Sequence, residues 1–130
     1  MDSPHHVIID LYDCIPFILS NKVLIAEFIE TCIKMGNMTP VGIPIGIQFQ
    51  GTEPLDNGIT YAQTLGESLI SLHTYPREKS VYIDIFSCKV FDSETMFMYA
   101  KTFFRGKGYC QRVNRMKYMG VKNLPVTPPT

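Results

Sequence analysis

The chain holds 130 residues with 12 basic and 12 acidic side chains, so it carries no formal net charge, and its length fits one domain. Hydrophobic residues make up 45% and charged ones 18%. That is enough apolar surface to offset the entropy of ordering the chain, and the absence of a basic excess argues against a nucleic-acid partner. The low charge points to a second buried face such as an oligomer interface. No membrane partner is expected either. The apolar run from Cys14 to Leu19 contains Pro16 and falls far short of the roughly 20 residues needed to cross a bilayer. The opening Met-Asp-Ser-Pro-His-His has neither the basic nor the apolar region of a secretory signal, so a cytoplasmic location is expected. Cys14, Cys32, Cys88 and Cys110 are then expected as reduced thiols, and no pair has the C-x-x-C spacing of a zinc site.

In chain order, His6 to Tyr12 is rich in β-branched residues and reads as a buried strand. Leu24, Ile25, Phe28, Ile29, Cys32 and Ile33 recur with helical spacing, and Glu27, Glu30 and Lys34 take the other side. Asn21 can cap that helix and Gly36 can end it. Ile43, Ile45, Ile47 and Phe49 alternate with small or polar residues and predict a half-buried strand, with Pro44 placing it at an edge or bulge. Gly51 to Gly58 is dense in turn formers. Ile59–Leu65, Leu69–Tyr75 and Val81–Cys88 follow as strands, with Pro76 to Lys79 as the last turn between them. A second helix is expected from Ser93 to about Phe104, with Met96, Tyr99, Ala100 and Phe103 inward and Gly106 and Gly108 ending it. Tyr109 to Tyr118 can supply a last strand, and residues 121–130, rich in proline, read as a loose tail. The predicted class is α+β: a two-layer sandwich of two helices on one face of a mainly antiparallel sheet, in a single domain over 1–130.

Several features carry little chemistry by themselves. His5-His6 lacks an evident third ligand, so no metal is expected. The cluster Arg105, Lys107, Arg112, Arg115 and Lys117 reads as a solvated strand face, and Arg105 to Cys110 does not fit the aromatic pattern of an RNA-recognition module. The informative stretch runs from Gly66 to Cys88, where Ser68, His73 and Cys88 put three reactive side chains on neighbouring strands. Neither G-x-S-x-G nor a triad is present to make it a generic hydrolase.

Glu67-Ser68-Leu69, His73-Thr74-Tyr75-Pro76-Arg77 and Asp84-Ile85-Phe86-Ser87-Cys88 resemble the signature of the small prokaryotic-type S-adenosylmethionine decarboxylases. In that family the corresponding segments read Glu-Ser-His, His-Thr-Trp-Pro-Glu and Asp-x-Phe-Thr-Cys. The intervals from Ser68 to His73 (five) and to Cys88 (twenty) match without a gap, and His6 to Cys14 resembles the family's opening strand. The resemblance covers roughly residues 5 to 105. It implies a self-cleaving proenzyme with a pyruvoyl cofactor made from Ser68. Ser68 Oγ attacks the Glu67 carbonyl, β-elimination frees a chain ending at Glu67, and loss of ammonia leaves the pyruvoyl group. His73 is implied as the processing base, Thr60 as the hydroxyl that assists processing, and Cys88 as the proton donor after decarboxylation. Phe49 is implied as the aromatic that stacks on the substrate, and the active form as a homodimer with its sites near the interface.

The departures concern the substrate. Arg77 stands where the family has a ribose-binding glutamate, and Glu78 is the nearest carboxylate, one residue on. Leu69 replaces a histidine, Tyr75 a tryptophan, and about five extra residues separate Phe49 from Thr60. The expected reaction is decarboxylation of S-adenosylmethionine to supply aminopropyl groups for spermidine. The alternatives are an arginine or ornithine decarboxylase on the same machinery, and a non-catalytic regulatory homologue, although Ser68, His73 and Cys88 are all retained.

Overall fold

The period-two segments form one six-stranded sheet in the computed structural model, which describes residues 5–53 and 57–113. The strands are β1 (His5–Tyr12), β2 (Ile45–Phe49), β3 (Gly58–Leu65), β4 (Ser68–Tyr75), β5 (Ser80–Ser87) and β6 (Lys107–Arg112). They lie in the order β2-β3-β4-β5-β1-β6, and each neighbouring pair is antiparallel. Strands β2 to β5 form a meander, and β1 closes in beside β5 to separate it from β6. One parity of each central strand is buried: Val7, Ile9 and Leu11 on β1, Ile70 and Leu72 on β4, Val81, Ile83 and Ile85 on β5.

Two helices cover that face, α2 (Lys22–Met35) and α3 (Ser93–Phe104), preceded by a single turn, α1 (Pro16–Leu19). Asn21 Oδ1 accepts the backbone N–H groups of Val23 and Leu24, and Asp92 accepts that of Thr95. Both caps satisfy donors that a helix start leaves free, and that of Asn21 contributes about 1 kcal/mol. Phe28 is fully buried, with ring centroids 5.5, 5.2 and 4.9 Å from Tyr99, Phe103 and Phe104. This aromatic cluster locks α2 to α3, and burying Phe28 contributes roughly 1.5–3 kcal/mol. The α+β sandwich expected from the sequence is therefore the fold, with α1 added. Helix α1 has no helical periodicity to announce it. It is tied down by tertiary contacts, for Thr74 Oγ1 donates to the Leu19 carbonyl (2.8 Å) while accepting the Ile59 N–H (2.9 Å).

Several boundaries move. Strand β2 begins at Ile45, after Ile43 and Pro44, and lies at the sheet edge. Its Ile45, Ile47 and Phe49 are exposed, where half-burial was expected. The register puts them on the sheet face away from the helices, opposite Ala62, Thr60 and Gly58. Pro76–Glu78 is a 3-10 turn, and β5 ends at Ser87, one residue before Cys88. Helix α3 is closed by Arg105 in a left-handed conformation (φ 53°), not by Gly106. Gly108 falls inside β6, where a Cβ would collide with the Asp10 carbonyl, so only glycine lets β6 approach β1. The expected continuation to Tyr118, with Arg115 and Lys117, and the tail over 121–130 lie outside the described residues.

The second face of the sheet carries Ile8, Leu69, Tyr82 and Phe86 among polar groups, and no described helix covers it. Leu69 and Tyr82 are each 43% exposed and Ile47 is 53% exposed, an apolar density that a solitary solvent-facing sheet does not need. No described helix is long and apolar enough to cross a membrane.

Candidate active site

Strand β4 holds the two chemical centres at its opposite ends. At its start, the two-residue connection Gly66-Glu67 turns β3 into β4, so the Glu67–Ser68 bond lies at the mouth of the hairpin. Ser68 is in register with Ser87 across the β4–β5 ladder. The Ser68 hydroxyl donates to Ser87 Oγ at 2.8 Å, and the Cys88 N–H donates to the Glu67 carbonyl at 3.2 Å. A hollow of about 270 Å³ opens beside this bond, lined by Met38, Glu67, Ser68 and Lys89 among others. Ser68 and Cys88 are half-buried, so each has both a fixed neighbourhood and access.

At the other end of β4, His73 pairs with Thr60 of β3, and Thr60 Oγ1 lies 3.0 Å from His73 Nδ1. Phe49 on β2 and Tyr75 on β4 wall a hollow of about 330 Å³ over this pair. An imidazole whose Nδ1 is held by a hydroxyl leaves Nε2 free for proton transfer. Arg77 and Glu78 sit in the exposed 3-10 turn that follows. Arg77 lines an adjacent hollow of about 190 Å³ with Phe49, Gln48, Gln50 and Asn57, and Glu78 is not among its lining residues. Because the two lie in a turn, the alternation of a strand does not decide which way they face.

The structure thus brings Ser68, Glu67 and Cys88 together, and separately Thr60, His73 and Phe49. It does not join the two groups within one chain. Five residues of strand separate Ser68 from His73, about 17 Å, and the odd interval places their side chains on opposite faces. Ser87 was missed from sequence, although its register with Ser68 follows once both strands are paired.

Two of the other cysteines are core residues. Cys14 and Cys32 are buried, and burial pushes the first up to about 11, with Asp13 adding to the effect, and the second up to about 12. Both stay protonated core residues. His6, of the His5-His6 pair, meets Asp84 at 2.6 Å (Nε2 to Oδ1) on the uncovered sheet face. Among the described residues no group of three or more His, Cys, Asp or Glu is arranged to hold a metal.

An antiparallel α/β sandwich with a serine hydroxyl and a polarised upstream carbonyl at one hairpin defines a class of fold and site that the comparisons make specific. A family model described as S-adenosylmethionine decarboxylase matches residues 5–116. A Clostridium botulinum (strain Langeland) protein named S-adenosylmethionine decarboxylase proenzyme is 33% identical over 100 residues, covering 76% of this chain and 81% of that one. A Hydrogenobaculum protein of the same name is 34% identical over 83 residues, covering 64% of this chain. The match spans 58% of the Hydrogenobaculum protein and 60% of a Parasynechococcus marenigrum relative, less than two thirds of either. The crystal structure of adenosylmethionine decarboxylase from Aquifex aeolicus superposes with a TM-score of 0.73, covering 93% of this chain and 97% of that one at 24% identity. That likeness concerns the fold. The chain belongs to the S-adenosylmethionine decarboxylase family.

Proposed function

We propose that this chain is a self-cleaving, pyruvoyl-dependent S-adenosylmethionine decarboxylase that works as a homodimer. The observation that carries the reading is the Glu67–Ser68 junction in a chain of this family: the nucleophile is ordered by Ser87, and the carbonyl it must attack is already polarised by the Cys88 N–H. Attack of Ser68 Oγ on the Glu67 carbon turns the amide into an ester, and the Cys88 N–H takes up charge developing on the Glu67 oxygen. Removal of the Ser68 α-proton then expels the Glu67 carboxylate, and water releases ammonia from residue 68.

The residues present fit the cofactor, since the hydroxyl, the upstream carbonyl and an adjacent half-buried thiol are all in place. A pyruvoyl group supplies a carbonyl that condenses with the substrate amine and draws off the electrons left as CO2 departs. Cys88 is assigned to return a proton to the substrate α-carbon from its Sγ.

A base is needed for the elimination, and in one chain His73 is about 17 Å away on the far face. A second copy resolves this. A twofold axis that stacks the two uncovered sheet faces with their β4 strands in opposite directions brings the partner's His73 and Thr60 over the start of β4, on the face opposite the Ser68 side chain, where the base would have to reach the Ser68 α-proton and not its hydroxyl. The same contact covers Leu69, Tyr82 and Phe86. Phe49 then supplies stacking for the adenine. The hollow beside it holds Arg77 and three amide side chains and no described carboxylate. Such donors suit the oxygen and nitrogen acceptors of a nucleoside better than the cation of arginine or ornithine. In this reading Arg77 donates to the ribose oxygens.

Intact mass of folded protein tests the first half: pieces of 67 and 63 residues are expected, the larger-numbered one ending its processing with a blocked N-terminus. Release of labelled CO2 from S-adenosylmethionine, arginine and ornithine tests the second. An uncleaved, inactive chain overturns the proposal, and preferential release from either basic amino acid overturns the substrate.

A further inference from the structure

A fully buried serine stands directly across the ladder from the processing serine, and it forms and breaks no bond in the processing chemistry above. Ser87 has no solvent exposure, and its Oγ receives two donors: the Ser68 hydroxyl at 2.8 Å and the Lys89 N–H at 3.0 Å. The second bond fixes the first. With the Lys89 N–H on one side, the Ser87 oxygen is held at one point, and it presents its remaining acceptor capacity to Ser68. The Ser68–Ser87 pair is the last rung of a ladder that runs unbroken from Tyr75–Ser80. The Cys88 N–H engages the Glu67 oxygen one residue further on. One short segment, 87–89, therefore grips both partners of the expected bond-forming step.

We propose that Ser87 is a positioning residue for self-cleavage: it selects the side-chain conformation of Ser68 that carries Oγ to the Glu67 carbonyl. The inference rests on the self-processing reading above. A free serine samples three staggered conformations, and one hydrogen bond to a fixed oxygen selects among them. In the step it assists, Oγ bonds to the Glu67 carbon, the carbon–nitrogen bond breaks, and the hydroxyl proton passes to the departing nitrogen. No oxidant or other reactant is consumed. Ser87 forms no covalent bond.

The test is the rate at which the 67- and 63-residue pieces appear in freshly folded Ser87→Ala, Ser87→Thr and Ser87→Cys proteins, with the unfolding midpoint of each uncleaved chain measured alongside. Ser87→Ala is expected to slow cleavage about five- to tenfold, the loss of one modest hydrogen bond. Ser87→Thr, which keeps the hydroxyl, is expected to stay within about twofold of wild type even though its added methyl strains a buried site. A merely structural role predicts the reverse order, with threonine the more damaging. Should the alanine variant not fold, the near-isosteric cysteine variant decides, because its thiol is a weak acceptor and is expected to be slow as well. Cleavage of Ser87→Ala or Ser87→Cys at the wild-type rate overturns the inference and leaves the self-processing reading standing. A wild-type chain that never cleaves removes both, so the two failures are distinguishable.

Discussion

If each processing centre is shared between two copies, then two disabled chains must repair one another. Ser68→Ala removes the nucleophile but leaves His73 and Thr60 to serve a neighbour. His73→Ala removes the base but leaves a complete Glu67–Ser68–Cys88 group. Neither variant alone can self-cleave at the normal rate. In a mixed dimer the Ser68 of the His73→Ala copy meets the His73 of the Ser68→Ala copy, and the other centre is doubly dead. With equal expression and random pairing about half of all dimers are mixed, so about half of the His73→Ala chains, and none of the Ser68→Ala chains, are expected to be cleaved. Co-expression with a different affinity tag on each variant, followed by intact mass of each, reads this directly. The roughly 17 Å between Ser68 and His73 in one chain is far beyond the 2.6–3.2 Å reach of proton transfer, so an intrachain site predicts no repair at all. No cleavage in the mixture, under conditions where wild type matures, refutes the shared-site reasoning. Full-rate cleavage of His73→Ala by itself refutes the assignment of His73.

Thr74→Val keeps the shape of Thr74 but strips partners from the buried Ile59 N–H and Leu19 carbonyl, and a loss of about 2–5 kcal/mol in equilibrium urea unfolding is expected, with Thr74→Ser restoring most of it. Gly58→Ala drives a methyl into the Thr74 carbonyl and should cost more than about 2 kcal/mol, whereas Gly66→Ala, beside the Glu67–Ser68 junction, meets nothing closer than 4.0 Å and should unfold within about 0.5 kcal/mol of wild type. Cys32, held protonated up to about 12 against an ordinary value of 9.0, keeps its proton in the folded state after the unfolded chain has lost it. Its contribution is therefore complete below pH 9 and is lost at up to about 1.4 kcal/mol per pH unit between pH 9 and 12, a slope that Cys32→Ala should remove from a pH series of unfolding curves.

The elements with strong periodicity were legible from sequence. Strand β1, helices α2 and α3, and the pair β3–β4 carry clear strand or helix periods, and Asn21 marked the α2 start because its side chain serves donors that any helix leaves free. What escaped is what tertiary contact decides. Helix α1 is one turn long and owes its place to Thr74, fifty-five residues away from Leu19. The exposure of Ile45, Ile47 and Phe49 looked like half-burial because alternation reports a face, not whether anything covers it. Arg105 closes α3 in a left-handed turn that glycine would enter at lower cost, so the glycine one residue later misled the boundary.

The division of the site follows from parity. In an antiparallel ladder the residues that face each other have a constant sum of positions, so Thr60 meets His73 just as Leu65 meets Ser68. The first of those pairs points to the uncovered face and the second to the helices. An odd interval of five between Ser68 and His73 cannot place both on one face, whatever the twist of the sheet, unless a bulge intervenes, and the β4 register runs unbroken on both sides. If His73 is the base for the Ser68 α-proton, the length of β4 between them, about 17 Å, is what requires the base to come from a second chain stacked on the uncovered face. The low charge of the chain and the apolar Leu69, Tyr82 and Ile47 on the uncovered face supply the surface for it.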